Sequence, residues 1–217
     1  MRRAVTAEFL GALLLTAAVI GSGIMGERLA GGNLAVALLA NTGATVATLA
    51  TLISLLGPIS GAHFNPAVTL VALWRGEVRP SQSIAYIAAQ IAGCCAGAVL
   101  ANAMFELPLI QASTHVRTGF AQWLSEGVAT AGLILVAFSS PTIAATAWRV
   151  SAWIGAAYWF TASTSFANPA ITLGRSLSDS FAGIRPDDAP GFIAAQLLGA
   201  VAGAMLLRVL AERKVAA

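Results

Sequence analysis

The sequence predicts an all-α membrane protein with six transmembrane helices and two re-entrant half-helices arranged as an inverted 3+3 repeat. Three observations predict it. The 217-residue chain is 58% hydrophobic and only 10% charged, with a mean hydropathy of +0.80, whereas soluble domains carry about 25% charged residues. Its charge-poor runs are broken at two Asn-Pro-Ala triplets, 65–67 and 168–170, each opening a stretch too short to cross a bilayer. Matching landmarks also recur in the same order in both halves of the chain.

A charge at the centre of a spanning helix costs about 2.5–3.5 kcal/mol on insertion scales, so charge-free runs mark the membrane segments. Arg2-Arg3 before an apolar run has the outline of a signal peptide. Glu8 inside that run, and the lack of a polar mature domain after it, favour a first span from Ala4 to Gly26. Leu29 to Trp74 carries no formal charge and is too long for one span. Its breaks at Gly57-Pro58 and Asn65-Pro66 predict a helix from Ala35 to Leu56, a turn, and a short helix from Asn65 to about Trp74. The short helix reaches about 15 Å, half the hydrocarbon thickness.

Pro80 to Phe105 supplies the third span, and Phe120 to about Ser139, carrying Glu126, the fourth. Ile143 to Ser163 makes the fifth, with Arg149 near enough to one end to snorkel. A second short helix starts at Asn168-Pro169, and the sixth span runs from about Pro190 to Leu207.

The repeat is legible in the letters. Ala-Glu-Phe-Leu-Gly at 7–11 is loosely echoed by Ser-Glu-Gly-Val-Ala at 125–129, and Phe-Asn-Pro-Ala-Val-Thr-Leu at 64–70 by Ala-Asn-Pro-Ala-Ile-Thr-Leu at 167–173. Ala-Ala-Gln-Ile-Ala-Gly at 88–93 is matched by Ala-Ala-Gln-Leu-Leu-Gly at 194–199. We read residues 1–217 as a single transmembrane channel domain, with repeat one at about 4–105 and repeat two at about 118–211. An odd number of spans per repeat inverts the second copy, so the half-helices enter from opposite faces.

Arg2, Arg3, Arg75, Arg79, Arg149, Arg208, Arg213 and Lys214 fall on the face that holds both termini, against Arg28, Arg117, Arg175 and Arg185 on the other. The positive-inside rule then places both termini in the cytoplasm, across a plasma or inner membrane. The formal net charge of +3 describes this topology and implies no nucleic-acid partner.

Irregular backbone at membrane depth survives only where it is buried in protein or lines a wet cavity, so two opposed breaks imply a cavity. Asn is a favoured N-cap and Pro suits the first helical position, so Asn65-Pro66-Ala67 and Asn168-Pro169-Ala170 each start a helix at the midplane. Their N-termini carry partial positive charge and repel cations. Asn65 and Asn168 cap with the side-chain oxygen and turn the amide NH₂ to the lumen as central donors. Neutral hydrogen-bonding solutes pass best between them.

On these residues the chain resembles the aquaporin or major intrinsic protein family, from Ala7 to about Leu207. The resemblance rests on Ser60-Gly61-Ala62-His63-Phe64-Asn65-Pro66-Ala67-Val68-Thr69, on Asn168-Pro169-Ala170, and on the pairs Glu8 with Glu126 and Gln90 with Gln196. It implies a right-handed aquaporin-like bundle, a homotetramer with one pore per subunit, and paired structural glutamates that hold loop carbonyls rather than move protons.

Most of that family places an arginine three residues after the second Asn, and here the position is Ile171. The family's offsets, counted without gaps, give Thr45, Ala156 and Ser165 as the other selectivity-filter residues, none aromatic and none histidine. Such a filter is wider and more apolar than a strict water channel needs. The run Asn168-Pro169-Ala170-Ile171-Thr172-Leu173-Gly174-Arg175-Ser176-Leu177-Ser178-Asp179 resembles bacterial aquaglyceroporins associated with arsenic resistance. That resemblance implies glycerol, arsenous and antimonous acids and methylated arsenicals as solutes.

Arg175, one turn beyond Ile171, is expected in the outer vestibule meeting solvent, or in a salt bridge to Asp179 or the loop acids. His63 is expected to line the pore or to pack, and His115 to be a surface residue. Cys94-Cys95 lies among small residues that let helices approach, a packing role rather than a metalloid trap. Trp74, Trp123, Trp148 and Trp153 are expected in an interfacial belt. No metal or cofactor is implied.

The competing classes are a secondary transporter, whose ion coupling would fall to Glu8 and Glu126 alone, a mainly water-conducting aquaporin, and an intramembrane enzyme, for which no nucleophile and base pair stands out. The sequence reading is a passive channel for small uncharged solutes.

Overall fold

The computed structural model describes residues 1–212; Arg213 and Lys214, counted above among the basic residues of the terminal face, lie outside the described residues. Eight α-helices follow one another: α1 (Arg2–Leu29), α2 (Leu34–Ser60), α3 (Pro66–Trp74), α4 (Pro80–Met104), α5 (Phe120–Phe138), α6 (Ile143–Phe160), α7 (Pro169–Arg175) and α8 (Ala189–Glu212), with a 3₁₀ turn at Pro186–Asp188 before α8. Five of them, α1, α2, α4, α5 and α8 with its preceding turn, are long and apolar enough to cross a membrane. The sixth, α6, has 18 residues and is diluted by Arg149, yet it lies alongside α2 and α5 as a full member of the bundle.

Local chemistry sets the helix ends. Asn33 caps α2, its side-chain oxygen accepting from the Ala35 and Val36 N–H groups. At its other end α2 departs from expectation, because the helix passes through Gly57-Pro58 and stops only at Ser60. A proline in the last turn forfeits a single intrahelical bond, which a helix end tolerates far better than a helix centre. The stop belongs to Gly61, whose left-handed φ of 89° closes the helix with an N–H bond to the Gly57 carbonyl.

Packing follows the two-fold pattern of the sequence. α1 lies along α4 as α5 lies along α8, α1 pairs with α2 as α5 pairs with α6, and α7 rests on α4 as α3 rests on α8. At the two equivalent crossings the backbones touch. A Cβ on Gly97 would fall inside the Leu13 carbonyl of α1, and one on Gly203 would sit 2.5 Å from the Ala131 carbonyl of α5. Small residues at these crossings supply close van der Waals contact where lipid offers no hydrophobic drive.

The surface inverts the rule for soluble proteins. Leu39, Leu55, Ile84, Trp148 and Leu198 are each more than 60% exposed, while Glu8, Gln90, Glu126 and Gln196 are fully buried. Trp74, Trp123 and Trp148 are exposed, but Trp153 is not part of the expected belt. Its indole lies over Gly132 and donates from Nε1 to the Ala129 carbonyl at 2.9 Å, which pins α6 to α5. Cys94 packs fully buried against α1.

Candidate functional site

Two loops descend to the middle of the bundle, 61–65 from the end of α2 and 161–168 from the end of α6, and each hands the chain to a half-helix. Asn65 caps α3 by accepting from the Ala67 N–H at 2.9 Å, and Asn168 caps α7 by accepting from the Ala170 and Ile171 N–H groups at 3.0 and 3.3 Å. Pro66 and Pro169 occupy the first helical positions, where no N–H is required.

The two asparagines also tie the repeats together. Asn65 Nδ2 donates to the Ala167 carbonyl at 2.7 Å, and Asn168 Nδ2 donates to the Phe64 carbonyl at 2.8 Å. Each amide uses one hydrogen in this reciprocal pair and keeps the second for the cavity that both asparagines line.

The loops hold non-glycine residues in left-handed conformations at equivalent places: Ala62 (φ 50°) with Ser165 (51°), and Phe64 (49°) with Ala167 (48°). Such conformations cost about 1–3 kcal/mol each and persist where their surroundings over-determine them. Buried glutamates provide that restraint. Glu8 accepts from the Ser60 hydroxyl and the His63 N–H through Oε1, and from the Phe64 N–H and Gln90 Nε2 through Oε2, all at 2.6–3.0 Å. Glu126 accepts from the Phe166 N–H, the Ala167 N–H and Gln196 Nε2 at 2.7–2.9 Å.

This corrects the implication that the glutamates hold loop carbonyls. A carboxylate has only acceptors, so it takes the N–H groups. The carbonyls of Gly61, Ala62, His63, Ser165 and Phe166 then accept nothing from the described residues, and all five residues line the cavity. Gln90 and Gln196 complete the frame, each donating also to a half-helix threonine, Thr69 and Thr172, at 2.9 Å.

The cavity has a volume of about 260 Å³ and runs between the two ends of the bundle, from Glu77 and Thr146 past both asparagines to Arg175. One wall is apolar, with Val19, Leu49, Ile53, Val68, Leu133 and Val150; the other is the loop backbone. His63 lines it, with Nδ1 3.1 Å from Thr69 Oγ1 and its ring edge-on to Tyr86.

Thr45, Ser165 and Ile171 line the cavity and Ala156 does not. On α6 the buried positions are Ala147, Val150, Ser151, Ile154, Ala157 and Tyr158, a helical stripe that leaves Ala156 exposed on the opposite face. Tyr158 stands where the gapless count put Ala156, with its hydroxyl 3.2 Å from Thr45 Oγ1. The available signal was a tyrosine inside an apolar span, two residues out of the counted register.

Arg175 also differs from expectation. Its side chain is 2% exposed, lies on the Phe166 ring with the guanidinium carbon 3.3 Å from the centroid, and lines the cavity rather than meeting bulk solvent. Nε donates to the Ala182 carbonyl. It makes no ion pair with Asp179, whose carboxylate accepts instead from the Thr114 N–H and hydroxyl. Sequence reasoning missed a second buried arginine, Arg117, 5.2 Å from the same ring. His115 is exposed, and partial desolvation, then the charges of Arg117 and Arg175, lower its pKa below the ordinary histidine value.

Crossing helices that enclose a conduit lined on one side by apolar side chains and on the other by loop backbone define a multi-pass membrane channel. Two segments of the chain, 1–144 and 137–217, match the family model described as major intrinsic protein. The chain belongs to that family, whose members are channels and not enzymes. It is 53% identical over 210 residues to "Aquaglyceroporin AqpS" of Rhizobium meliloti (strain 1021), covering 96% of this chain and 90% of that protein. It is 40% identical over 98 residues to "Aquaporin-2" of Homo sapiens, covering 45% of this chain and 34% of that one. The solved aquaglyceroporin from Plasmodium falciparum superposes with a TM-score of 0.73 at 17% identity over 94% of each chain, a likeness of fold.

Proposed function

We propose that the protein is a passive channel for small neutral polyols and oxyacids of glycerol size, arsenous and antimonous acids among them, with water passing more slowly than through a strict water channel. The observation that carries this reading is Ile171, an apolar side chain on the cavity wall three residues after Asn168, with Thr45, Tyr158 and Ser165 around it. The four frame a selectivity filter with one apolar wall, and Asn65 and Asn168 are its central donors. Solutes slide with carbon against Ile171 and Leu133 while their hydroxyls meet the open loop carbonyls and the asparagine amides.

The relative named as an aquaglyceroporin supports the glycerol width. We assign both termini to the cytoplasm from the basic residues on that face, the membrane to the cell's plasma or inner membrane, and the assembly to a homotetramer with one conduit per chain.

Stopped-flow light scattering on proteoliposomes, with water, glycerol and arsenite, tests the reading. Ile171→Arg is expected to fill the wall, reducing glycerol and arsenite flux about tenfold or more while water flux persists. Equal glycerol flux in wild type and variant would sink the filter assignment.

A further inference from the structure

Arg117 and Arg175 lean on the same phenyl ring and are treated differently by the fold. All three nitrogens of Arg117 are bonded to carbonyls: Nε to Gly183 at 2.8 Å, and Nη1 and Nη2 to Ser163 and Phe181 at 3.3 Å. Arg175 has only its Nε engaged, by Ala182; among the described residues its Nη1 and Nη2 have no hydrogen-bond acceptor and no carboxylate partner. The side chain is nevertheless 98% buried and lines the conduit. Ser165, the residue before the shared Phe166, also lines the conduit, and its buried Oγ has no partner among the described residues. Glu126 is committed to the loop N–H groups, and Asp179, four residues after Arg175, to Thr114.

A desolvated guanidinium with an open fork is costly unless an acceptor fills it, and its planar pair of N–H groups matches two oxygens held side by side. Resting on the channel reading above, we propose that the Arg175 fork, with Ser165 Oγ, is a binding seat for small planar oxyanions such as carboxylates, which enter from the face opposite the termini and plug the conduit. Ile171 leaves the wall open one turn before it, and Arg117, on the same Phe166 ring, adds a second positive charge beside the fork. The seat makes conduction of neutral solutes sensitive to the oxyanions around them.

The probe is sodium formate, set against sodium chloride at equal ionic strength and neutral pH, on both sides of proteoliposomes carrying the full chain. Glycerol flux in the wild type is expected to fall about twofold or more in formate and to hold in chloride, since a bidentate pair favours carboxylate over a spherical ion. Arg175→Gln is expected to need about tenfold more formate for the same block, and Arg175→Lys to lie between, because an ammonium keeps the charge and loses the fork. Should the Arg175 variants fail to fold, Ser165→Ala decides, with an expected weakening of the block of about threefold.

Glycerol flux that ignores formate in a conducting wild type overturns the seat and leaves the channel reading standing. Equal block in wild type and Arg175→Gln, or in wild type and Ser165→Ala where the arginine variants do not fold, overturns it as well. A wild type no more permeable than empty vesicles overturns the channel reading itself.

Discussion

Glu8 illustrates how much of this protein rests on single buried side chains. Its two oxygens satisfy four donors around a backbone that two left-handed residues bend toward the conduit. Removing the acceptor strands those donors, at about 1–3 kcal/mol for each one left unsatisfied. Glu8→Ala is therefore expected to destabilise by more than about 3 kcal/mol, read as a lowered Tm in detergent; a Tm within a degree or two of wild type would contradict the role. Glu126→Ala should behave alike, since it restrains the equivalent loop.

Register on α6 gives a second prediction at this scale. Ala156 faces away from the conduit and Tyr158 borders it. Ala156→Leu is expected to leave the glycerol-to-water permeability ratio unchanged, whereas Tyr158→Phe, by freeing Thr45 and removing a hydroxyl worth about 1 kcal/mol, should alter it. The two variants compared in one vesicle assay expose any error in the filter.

Among the elements, the half-helices were readable in advance because their start signals are local. An Asn followed by Pro sets the cap and the first turn whatever surrounds it. The end of α2 was not, because the weak breaker Pro58 precedes the true stop at Gly61, and only the finished backbone shows which one acted.

Helix contacts carry a third prediction. Gly97 and Gly203 sit where α4 and α8 press on the carbonyls of α1 and α5. Gly97→Val is expected to push the helices apart and cost about 1–3 kcal/mol or more, with an equal effect for Gly203→Val. Thermal unfolding of both variants would reveal an asymmetry if the two crossings were not equivalent.

At the scale of the whole molecule, the two membrane-buried glutamates among the described residues are not available to couple solute to an ion gradient. The buried glutamates are occupied by backbone donors, and the conduit passes between the two half-helices without a carboxylate on its wall near the asparagines. Solute flux is expected to rise in proportion to the gradient, without saturation in the millimolar range typical of carriers, and to ignore an imposed membrane potential. Tracer uptake with and without a potassium diffusion potential measures this; saturation or voltage dependence would point to a transporter.

The sequence alone determined the class, the half-helices and the inverted pairing, since hydropathy, capping and repeated motifs are properties of neighbours along the chain. It also marked Glu8, Glu126, Gln90 and Gln196 as pairs, though not which groups they hold. Tertiary structure alone decided that Tyr158 replaces Ala156 at the conduit, that Arg175 is buried with an open fork, and that Arg117 stands behind it. Those facts depend on loop lengths, helix rotation and side-chain reach between segments far apart in sequence, where a shift of two residues turns a position from lumen to lipid.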